Sequence, residues 1–497
     1  MIINSKKLIA VLAATAAAAV VGGIHVTSAN DTTGPSSSAS PYVVSVSPNV
    51  STKSILTVGD AVNVKSDGVS PYRLVGIPDG LGAFDNGDGT FTVLMNHELG
   101  ATAGVIRDHG ARGSFVSKWT IRKDDLTVLK GEDLIQNVAT WNQSASAFNA
   151  PAQGVAMGRL CSADLPATSA FYNAASGMGY DGRLFMNGEE VGAEGRAFAH
   201  ALDGTSYELP YLGKFSWENS LANPATGDKT VVVGTDDSTP GQVYVYIGTK
   251  TNTGSPVDQA GLNNGSLYGV KVNGVALENR DTGIPSGTPF TLHNFGNVAN
   301  TTGAQLQAAS TANGVTEFLR PEDGHWDSQN PAHFYFVTTD RFDTIKNPGT
   351  PANQVGRSRL WRLRFNDVTD PAAGGEIDML LDGTEVQQMM DNMTVDSIGS
   401  GSLIQEDPGN QPYLAKVLRH DIASNSISVI AQHDPNRFLP NAPNFLTQDE
   451  ESSGIIDVSD ILGEGWFLLD VQAHYSTDRE LVEGGQLLAL RYLPVQQ

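Results

Sequence analysis

The feature that most constrains how this chain can fold is a short apolar strand pattern that ends in acidic or polar residues and is followed by a second strand. The pattern occurs six times. The first strands are "FTVLMNHE", ending at Glu98, "RLFMNGEE", ending at Glu190, "TVVVGTDD", ending at Asp237, "HFYFVTTD", ending at Asp340, "GSLIQED", ending at Asp407, and "GWFLLDVQAH", which carries Asp470 and His474. The uneven intervals between these strands indicate insertions of different lengths.

A radial array of sheets accounts for such a repeat. In a propeller, equivalent strands of successive blades point their ends at one central opening. The pattern therefore predicts an all-β fold, a six-bladed β-propeller with loop insertions, in which the acidic strand ends converge on one axial site. The alternative is a multi-sheet β protein in which the same acids are scattered over the surface. The 53 Gly and 24 Pro residues fit either fold, because many short strands need many turns.

The N-terminal segment has the composition of a secretory signal peptide. Lys6 and Lys7 form a positive region, residues 8–21 are apolar, and small residues follow at 27–29. We interpret residues 1–29 as this signal, 30–54 as a flexible Ser/Thr/Pro-rich lead-in, and 55–497 as one catalytic propeller domain. A retained membrane anchor is the alternative for the first segment. The prediction is an exported protein, periplasmic or extracellular, with no membrane span after cleavage.

The charge balance excludes one class of partner. Acids outnumber bases 54 to 31, for a net charge of -23, whereas nucleic-acid binding requires clustered Lys and Arg. The excess of acids fits an exported protein, or one whose carboxylates are partly neutralised by bound cations. Cys161 is the one cysteine, so no intrachain disulfide is expected, and we interpret it as a small buried apolar residue. We expect a monomer.

The acidic strand ends are candidate calcium ligands. Crowded carboxylates raise one another's pKa values, and a hard cation that takes six to eight oxygens removes this cost. Each acid alone could be a solvated loop residue, but six similar placements favour a metal site. The predicted ligands are Glu98, Glu189, Glu190, Asp237, Glu322, Asp323, Glu406, Asp407 and Glu450, with Asp236, Asp391, Asn392, Asp449 and Glu451 as further candidates.

Arg320 is the candidate catalytic residue. It stands in "TEFLRPEDGHWD", next to predicted cation ligands, where a guanidinium can bind an oxyanion through two parallel N–H bonds. Metal ions and an arginine together are the recurring apparatus of phosphoryl transfer. The alternative is that Arg320 merely pairs with Glu322 or with a neighbouring blade. No nucleophile elbow, P-loop or dinucleotide fingerprint stands out in the sequence, which argues against serine hydrolase, NTPase and Rossmann functions.

Four motifs in order resemble the PhoX-type alkaline phosphatase family. They are "PDGLGAFDNGDGTFTVLMNHE", "GRLFMNGEE", "TEFLRPEDGHW" and "DNMTVD…LIQED", and the likeness extends from about Tyr72 to Leu493. The resemblance implies a six-bladed propeller and a calcium-dependent phosphomonoesterase, with iron and calcium at the axial opening and a small phosphorylated substrate. It also implies that Arg320 is the phosphate clamp, that Glu322 is a metal ligand, and that Glu189 and Glu190 are among the site acids.

The sequence departs from the family pattern in two places, so the resemblance is to a divergent member. Gly188 stands where the best-known members carry an iron-binding cysteine, and Cys161 lies upstream in "RLCSADLP". The signal peptide lacks the twin-Arg pair that is typical of the family. Calcium is therefore the predicted cofactor and iron a second candidate. Two alternatives remain: another metal-dependent hydrolase, such as a phosphodiesterase or lactonase, and a non-catalytic calcium-stabilised binding propeller.

Overall fold

The computed structural model describes residues 31–65, 67–347 and 350–493. The predicted signal peptide, residues 1–29, lies outside them. The described chain is all-β, as expected: strands predominate and the helices are few and short. Among the described helices, none has the length and apolar character needed to cross a membrane.

The strands follow one another along the chain with short connections and several longer loops. The first nine are β1 (Thr32–Thr33), β2 (Val43–Ser45), β3 (Val50–Thr57), β4 (Ala61–Val64), β5 (Pro71–Arg73), β6 (Pro78–Asp85), β7 (Thr90–His97), β8 (Phe115–Arg122) and β9 (Val128–Asp133). The next nine are β10 (Asn137–Ala139), β11 (Trp141–Asn142), β12 (Ala147–Phe148), β13 (Leu160–Asp164), β14 (Tyr172–Asn173), β15 (Met178–Gly179), β16 (Leu184–Glu189), β17 (Ala197–Ala201) and β18 (Thr205–Glu208).

The second half of the chain continues the same alternation of strands and turns. It contains β19 (Trp217–Ala222), β20 (Lys229–Asp236), β21 (Gly241–Thr249), β22 (Ser266–Val272), β23 (Thr288–Gly296), β24 (Glu317–Phe318), β25 (Pro321–Trp326), β26 (His333–Thr338) and β27 (Arg359–Phe365). The last strands are β28 (Gly375–Leu381), β29 (Met390–Val395), β30 (Gly401–Glu406), β31 (Lys416–Asp421), β32 (Ser426–His433), β33 (Glu450–Asp457), β34 (Trp466–Ser476) and β35 (Glu483–Tyr492).

The helices are α1 (Pro256–Gln259), α2 (Gly303–Asn313), α3 (Pro435–Phe438) and α4 (Ser459–Leu462), with 3₁₀ turns at Thr168–Ala170, Pro210–Leu212 and Pro371–Ala373. Only α2 is longer than four residues. Its ends follow from its sequence: Thr302 and Gln305 form a capping box at the start, and Gly314 ends it with a φ of 65°.

The sheets are built from antiparallel meanders, each running outward from its first strand. Their strand orders are β6–β9, β13–β16–β17–β18, β19–β22, β25–β28, β29–β32 and β33–β35, and β23 joins the third and fourth into one sheet. The first strands contact one another in chain order, β6 to β13, β19, β25, β29 and β33, and β33 contacts β6 again. The first strands therefore enclose a nearly closed central axis.

The core lies between consecutive sheets. For example, Trp119 and Leu81 of the first meander pack with Leu468 and Leu487 of the last one in one buried cluster. Outer strands alternate buried and partly exposed residues, as in β27, whereas every residue of β29 is buried although its sequence is "MDNMTV". Buried polar residues on first strands therefore face the axis and the neighbouring sheets instead of water.

Residues 31–54 do not form the flexible lead-in that their composition predicts. β3 pairs with the C-terminal strand β35 over seven residue pairs, and β1 adds to β3 in parallel. β2 pairs with β32, so the N-terminal segment contributes to both of the last two meanders. A Ser- and Thr-rich segment can do this because β-branched and small residues fit edge strands as readily as loops.

Candidate metal centre

One residue position recurs at the start of the first strand of every meander. The second residue of each of these strands is Asp79, Cys161, Glu218, Glu322, Asp391 or Glu451. We call this set the inner ring. Five of its members are carboxylates, and all are buried except the partly buried Glu451. The thiol of Cys161 occupies the position that an acid takes in the other five strands.

Irregular strand pairing explains why these side chains leave the regular sheet pattern. The register of the first strand against the second shifts between Pro78 and Leu81, Leu160 and Ala163, Trp217 and Ser220, Pro321 and Gly324, and Met390 and Met393. Each shift spans the inner-ring residue and the residue after it. A β-bulge of this kind bends the strand and changes the direction of a side chain. The same local irregularity therefore turns one inner-ring residue toward the axis in each of five first strands.

A second set lies at the same end of the sheets. The second strand of each meander is antiparallel to the first, so its last residues lie beside the inner ring, as the pair Pro78↔His97 illustrates. Directly after such pairs come Glu98, Glu190, Asp237, Asp407 and His474, which we call the outer ring. The predicted convergence of strand-end acids is therefore present at four of these positions.

Asp340 is the exception among the six strand ends. Thr339 occupies the outer-ring position of the fourth meander, because Pro321 pairs with Thr338. The carboxylate of Asp340 accepts hydrogen bonds from Arg280 Nε at 2.8 Å and Nη2 at 2.6 Å. The backbone N–H of Arg357 also donates to it, at 2.9 Å. Both oxygens of Asp340 therefore accept hydrogen bonds from Arg280 and Arg357, and Asp340 is not part of the outer ring.

The two rings bring potential metal ligands together in three groups, each with its ligand atoms within 4.8 Å of one another. They are Asp79 with Glu98 and Cys161, Glu218 with Glu322 and Asp391, and Asp391 with Asp407 and Glu451. We call them the thiol group, the first carboxylate group and the second carboxylate group. Asp391 belongs to both carboxylate groups, so two cations held there would be neighbours.

The electrostatics of these groups fit cation binding. Burial, followed by repulsion from neighbouring acids, raises the pKa values of Glu218, Glu322 and Asp391 well above the usual range. Burial and Glu451 raise the pKa of Asp407 to about 7. A divalent cation would remove this repulsion, and the oxygen donors suit calcium. The thiol group offers a sulfur ligand, which suits a transition metal such as iron better than calcium.

Two arginines lie among the rings. Arg320 donates to Asp237 through Nε at 2.8 Å and Nη2 at 2.7 Å, and Nη2 also lies 2.9 Å from Glu322 Oε1. Its backbone is in the left-handed region, with a φ of 60°, which a β-strand could not supply. Arg159 donates to Glu98 and lies 2.6 Å from Glu190 Oε2. Both guanidinium groups thus bridge carboxylates at the end of the axis.

Beneath the inner ring, polar side chains close the axis. Asn392 donates to the hydroxyl of Ser162, which itself donates to Glu218 Oε1 at 2.6 Å. Asn219 donates to Asp323 Oδ1 at 2.7 Å, and the backbone N–H of Met393 donates to Asp323 Oδ2 at 3.0 Å. These residues, which follow the inner-ring positions in the bulges, link four first strands and form a floor under the site.

Six of the nine predicted ligands lie outside the three groups. Two of them, Glu190 and Asp237, are outer-ring residues paired with Arg159 and Arg320. Glu189 is held by Arg196 at 2.7 Å and by the N–H of Gly158 at 2.8 Å. Asp323 belongs to the floor. Glu406 accepts the N–H groups of Gln388 and Lys416, and Glu450 accepts that of Ala415 at 3.2 Å. Strand-end acids therefore also serve as acceptors for nearby backbone and arginine N–H groups, and a role as metal ligands stays a prediction for these residues.

Sequence analysis missed Asp79, Glu218 and Arg159, and it interpreted Cys161 only as a buried apolar residue. A signal for the first two was present: each acid follows Pro or an aromatic residue and precedes Gly or Asn, as in "PDG" and "WEN". Half of this arrangement recurs at two further positions: Glu322 follows Pro in "PED", and Asp391 precedes Asn in "MDN". The acidic repeat that is visible in the sequence lies at strand ends, whereas the more regular set of site residues, the inner ring, lies at strand starts.

Comparison with known proteins identifies a similar family and a similar fold. The sequence model of the family described as Alkaline phosphatase PhoX matches residues 199–442. This part of the chain is similar to the PhoX family. The matched range includes Glu218, Arg320, Glu322, Asp391 and Asp407, and therefore the whole first carboxylate group. The recognition made from the sequence motifs is confirmed.

The structure of Pseudomonas fluorescens PhoX in complex with vanadate, a transition state analogue, has the same fold as this chain. The two chains align with a TM-score of 0.61 and 13% identity over 89% of this chain and 95% of the other. Weaker matches include a Trypanosoma rangeli sialidase in complex with the inhibitor DANA, with a TM-score of 0.37 and 10% identity over 88% of this chain and 58% of the other. A putative TolB from Agrobacterium tumefaciens gives 0.31 and 9% identity over 73% and 84%. No curated protein sequence matches this chain.

Proposed function

We propose that this protein is an exported, metal-dependent phosphatase that hydrolyses phosphate monoesters at the axial end of a six-bladed β-propeller. The six meanders would be the blades, and residues 55–497, closed by the strands within 31–54, would form one catalytic domain. The observation that carries the proposal is the first carboxylate group lying beside Arg320 in a chain that is similar to the PhoX family. That combination supplies cation ligands and an oxyanion donor at one place.

The residues divide between two kinds of metal. The two carboxylate groups would hold calcium ions, because their donors are carboxylate oxygens and they share Asp391. The thiol group would hold iron, with Cys161 as the sulfur ligand that Gly188 does not provide. When bound, these cations supply Lewis-acid stabilisation of the negative charge on phosphoryl oxygens.

Arg320 would bind the phosphoryl group of the substrate. Asp237 and Glu322 hold its Nε and Nη2, and among the described residues its Nη1 has no hydrogen-bond partner. This leaves one N–H-bearing nitrogen in a fixed orientation for a phosphoryl oxygen. Because Asp237 and Glu322 pre-orient the guanidinium, little side-chain entropy would be lost when substrate binds.

The floor would keep the reacting group at the end of the axis. Ser162 and Asn392, from the second and fifth meanders, meet across the axis. Water therefore could not reach the ligand groups from the opposite end of the sheets, and substrate would enter from the ring side. The substrate would be a small phosphorylated molecule, because a chain with net charge -23 would repel nucleic acid.

The direct test is turnover of p-nitrophenyl phosphate by the purified mature protein, as isolated, after exhaustive chelation and after calcium add-back. We expect turnover that disappears on chelation and returns with calcium. Loss without return would indicate a second required metal, such as iron. Glu322→Gln should abolish turnover, whereas the matched variant Glu189→Gln, outside the ligand groups, should retain it.

The same protocol with a phosphodiester and a lactone as additional substrates separates the rival functions. Hydrolysis of a phosphodiester or a lactone, with no hydrolysis of the monoester, would assign the site to another metal-dependent hydrolase. No turnover of any of these substrates by a folded, calcium-loaded protein would contradict the catalytic proposal and favour a binding propeller.

A further inference from the structure

A buried carboxylate next to the rings has no partner for either of its oxygens. Asp470, on β34, is fully buried, and among the described residues neither Oδ1 nor Oδ2 accepts a hydrogen bond. Glu189, by contrast, is a buried carboxylate whose oxygens accept hydrogen bonds from an arginine and from a backbone N–H group. Burying an ionised carboxylate without a donor or a cation is strongly unfavourable.

The surroundings of Asp470 consist of further oxygen acceptors. Gly454 lies at the bulge of β33 with a φ of 42°, and the point that a Cβ would occupy there is 3.0 Å from Asp470 Oδ1 and 2.8 Å from the main-chain oxygen of Asp79. These two oxygens from different meanders therefore lie at most 5.8 Å apart, on the side of Gly454 that carries no side chain. The bulge of β6, between Pro78 and Leu81, takes the Asp79 carbonyl out of regular register.

Gln472 supplies a third acceptor on the same face. It lies two residues after Asp470 on β34, and alternate residues of a strand share a face. Its Nε2 donates to Asp79 Oδ2 at 3.0 Å and to Glu98 Oε2 at 2.9 Å, which determines the orientation of the amide. The carbonyl oxygen Oε1 is buried and has no donor among the described residues.

We propose that Asp470, Gln472 Oε1 and the main-chain oxygen of Asp79 form a further calcium site between β34 and β6. The site adjoins the thiol group, because Asp79 contributes its side chain to that group and its main-chain oxygen to this site. The donors are a carboxylate, an amide carbonyl and a main-chain carbonyl, which are the oxygen types that calcium takes in proteins. Buried oxygen acceptors cannot form hydrogen bonds with one another, because none of them carries a donor proton. A bound cation can interact with all of them at once.

The position of the site gives it a structural role. It joins the last meander, through β34, to the first meander, through β6, at the place where the ring of first strands closes. A cation here would stabilise the closure of the molecule and need not touch substrate. The inference therefore stands independently of the reaction that the rings catalyse.

The test is the number of calcium ions bound per chain, measured by equilibrium dialysis of the chelated protein against calcium chloride followed by atomic emission. Asp470→Asn keeps the size of the side chain and removes its charge, so we expect one calcium ion fewer per chain than in the wild type. Asp164→Asn is the matched control, because Asp164 is also a first-strand carboxylate but lines a cavity of about 490 Å³ at the opposite end of the sheets. This control should bind the wild-type number.

Gly454→Ala is a second variant, because its methyl group would press on Asp470 Oδ1 and on the main-chain oxygen of Asp79 and displace them, and we expect it to lose the same ion. Equal calcium counts in wild type, Asp470→Asn and Gly454→Ala would overturn the proposal and indicate a protonated Asp470. A wild type that binds calcium and shows this difference, but turns over no phosphate ester, would leave the site established and contradict only the proposed function.

Discussion

At the scale of single residues, neighbours in the sequence have different partners. Glu322 and Asp323 are consecutive, yet their partners differ. Glu322 lies with Glu218 and Asp391, whereas Asp323 accepts hydrogen bonds from the first strands on either side of its own, β19 and β29. Arg320, two positions earlier, orients toward Asp237 and Glu322 because its left-handed backbone departs from the strand direction. Whether a charged residue of this segment joins a ligand group or the floor therefore depends on the direction of its side chain and not on its charge.

Arg320→Lys should lower kcat/KM for p-nitrophenyl phosphate by about 100-fold, the usual effect of losing one preorganised oxyanion donor. Lysine keeps the positive charge between Asp237 and Glu322 but cannot hold both and also offer a fixed N–H to substrate. Steady-state kinetics with calcium present would measure the effect. Arg196→Lys is the matched control, because Arg196 holds Glu189 outside the ligand groups. A rate equal to that of the wild type in Arg320→Lys would remove Arg320 from the mechanism.

Asp164 should make stability depend on pH. Burial raises its pKa to about 7 in the folded protein from an ordinary value of 3.8. A carboxyl group with a raised folded pKa stabilises the fold below its unfolded pKa, and this contribution is lost as the pH rises from about 4 through about 7. Asp164→Asn should therefore lose less stability between pH 5 and pH 8 than the wild type, by about 1 kcal/mol or more.

Urea unfolding at the two pH values measures this difference. Asp367→Asn, a change in an exposed turn, should follow the wild type. Parallel pH profiles for the wild type and Asp164→Asn would show that Asp164 ionises normally in the folded protein.

At the scale of elements, the bulge is the unit that builds the site. A regular strand would place the inner-ring residue and its successor on opposite faces of the sheet. The register shift instead lets Glu218 reach a ligand group while Asn219 reaches Asp323 in the floor. Because the shift recurs in successive first strands, both the ring and the floor are built from the same two strand positions.

Asp323→Ala should lower the free energy of unfolding by about 3 kcal/mol, because it leaves the buried N–H groups of Asn219 and Met393 without an acceptor. The number of bound calcium ions should be unchanged, since Asp323 is not in a ligand group. Urea unfolding in excess calcium and equilibrium dialysis measure the two quantities. Loss of calcium with full stability would show instead that Asp323 is a ligand, as its sequence position first suggested.

At the scale of the whole molecule, closure depends on residues that are far apart in the chain. β3 and β35 pair at the two ends of the sequence, and β6 contacts β33 at the axis. The acids of both rings are concentrated at one end of this closed arrangement. Without cations, their mutual repulsion opposes the same packing that the terminal strands complete.

Chelation should therefore lower the melting temperature by about 5 °C. Each of the two proposed calcium ions, at 100 times its Kd, contributes about 2.7 kcal/mol to the stability of the folded state, and about 1 kcal/mol corresponds to about 1 °C in a chain of this size. Calcium add-back should restore the melting temperature. Differential scanning calorimetry measures the change, and magnesium add-back is the control, because magnesium demands a smaller and more regular oxygen site. An unchanged melting temperature after verified metal removal would contradict the assignment of the carboxylate groups to cations.

Much of this could be predicted from the sequence. The repeated acid-ended strands predicted an all-β chain with acids meeting at one place, and Glu98, Glu190, Asp237 and Asp407 do lie together at one end of the sheets. The resemblance to the PhoX family rested on short motifs and is confirmed. The N-terminal strands were missed because a Ser/Thr-rich segment has no strand signal of its own and pairs only with the C-terminal end of the chain.

Sequence alone established the strand content, the repeat, the resemblance to the family and the presence of an arginine among acids, because these are properties of local pattern. Tertiary structure decided which acids share a cation-sized space. Ser162 and Asn392 meet although 230 positions separate them in the chain, and Cys161 joins Asp79 from another meander. Such contacts depend on the bulge register and on the closure of the ring, which arise from packing over the whole chain and are not encoded in any short segment.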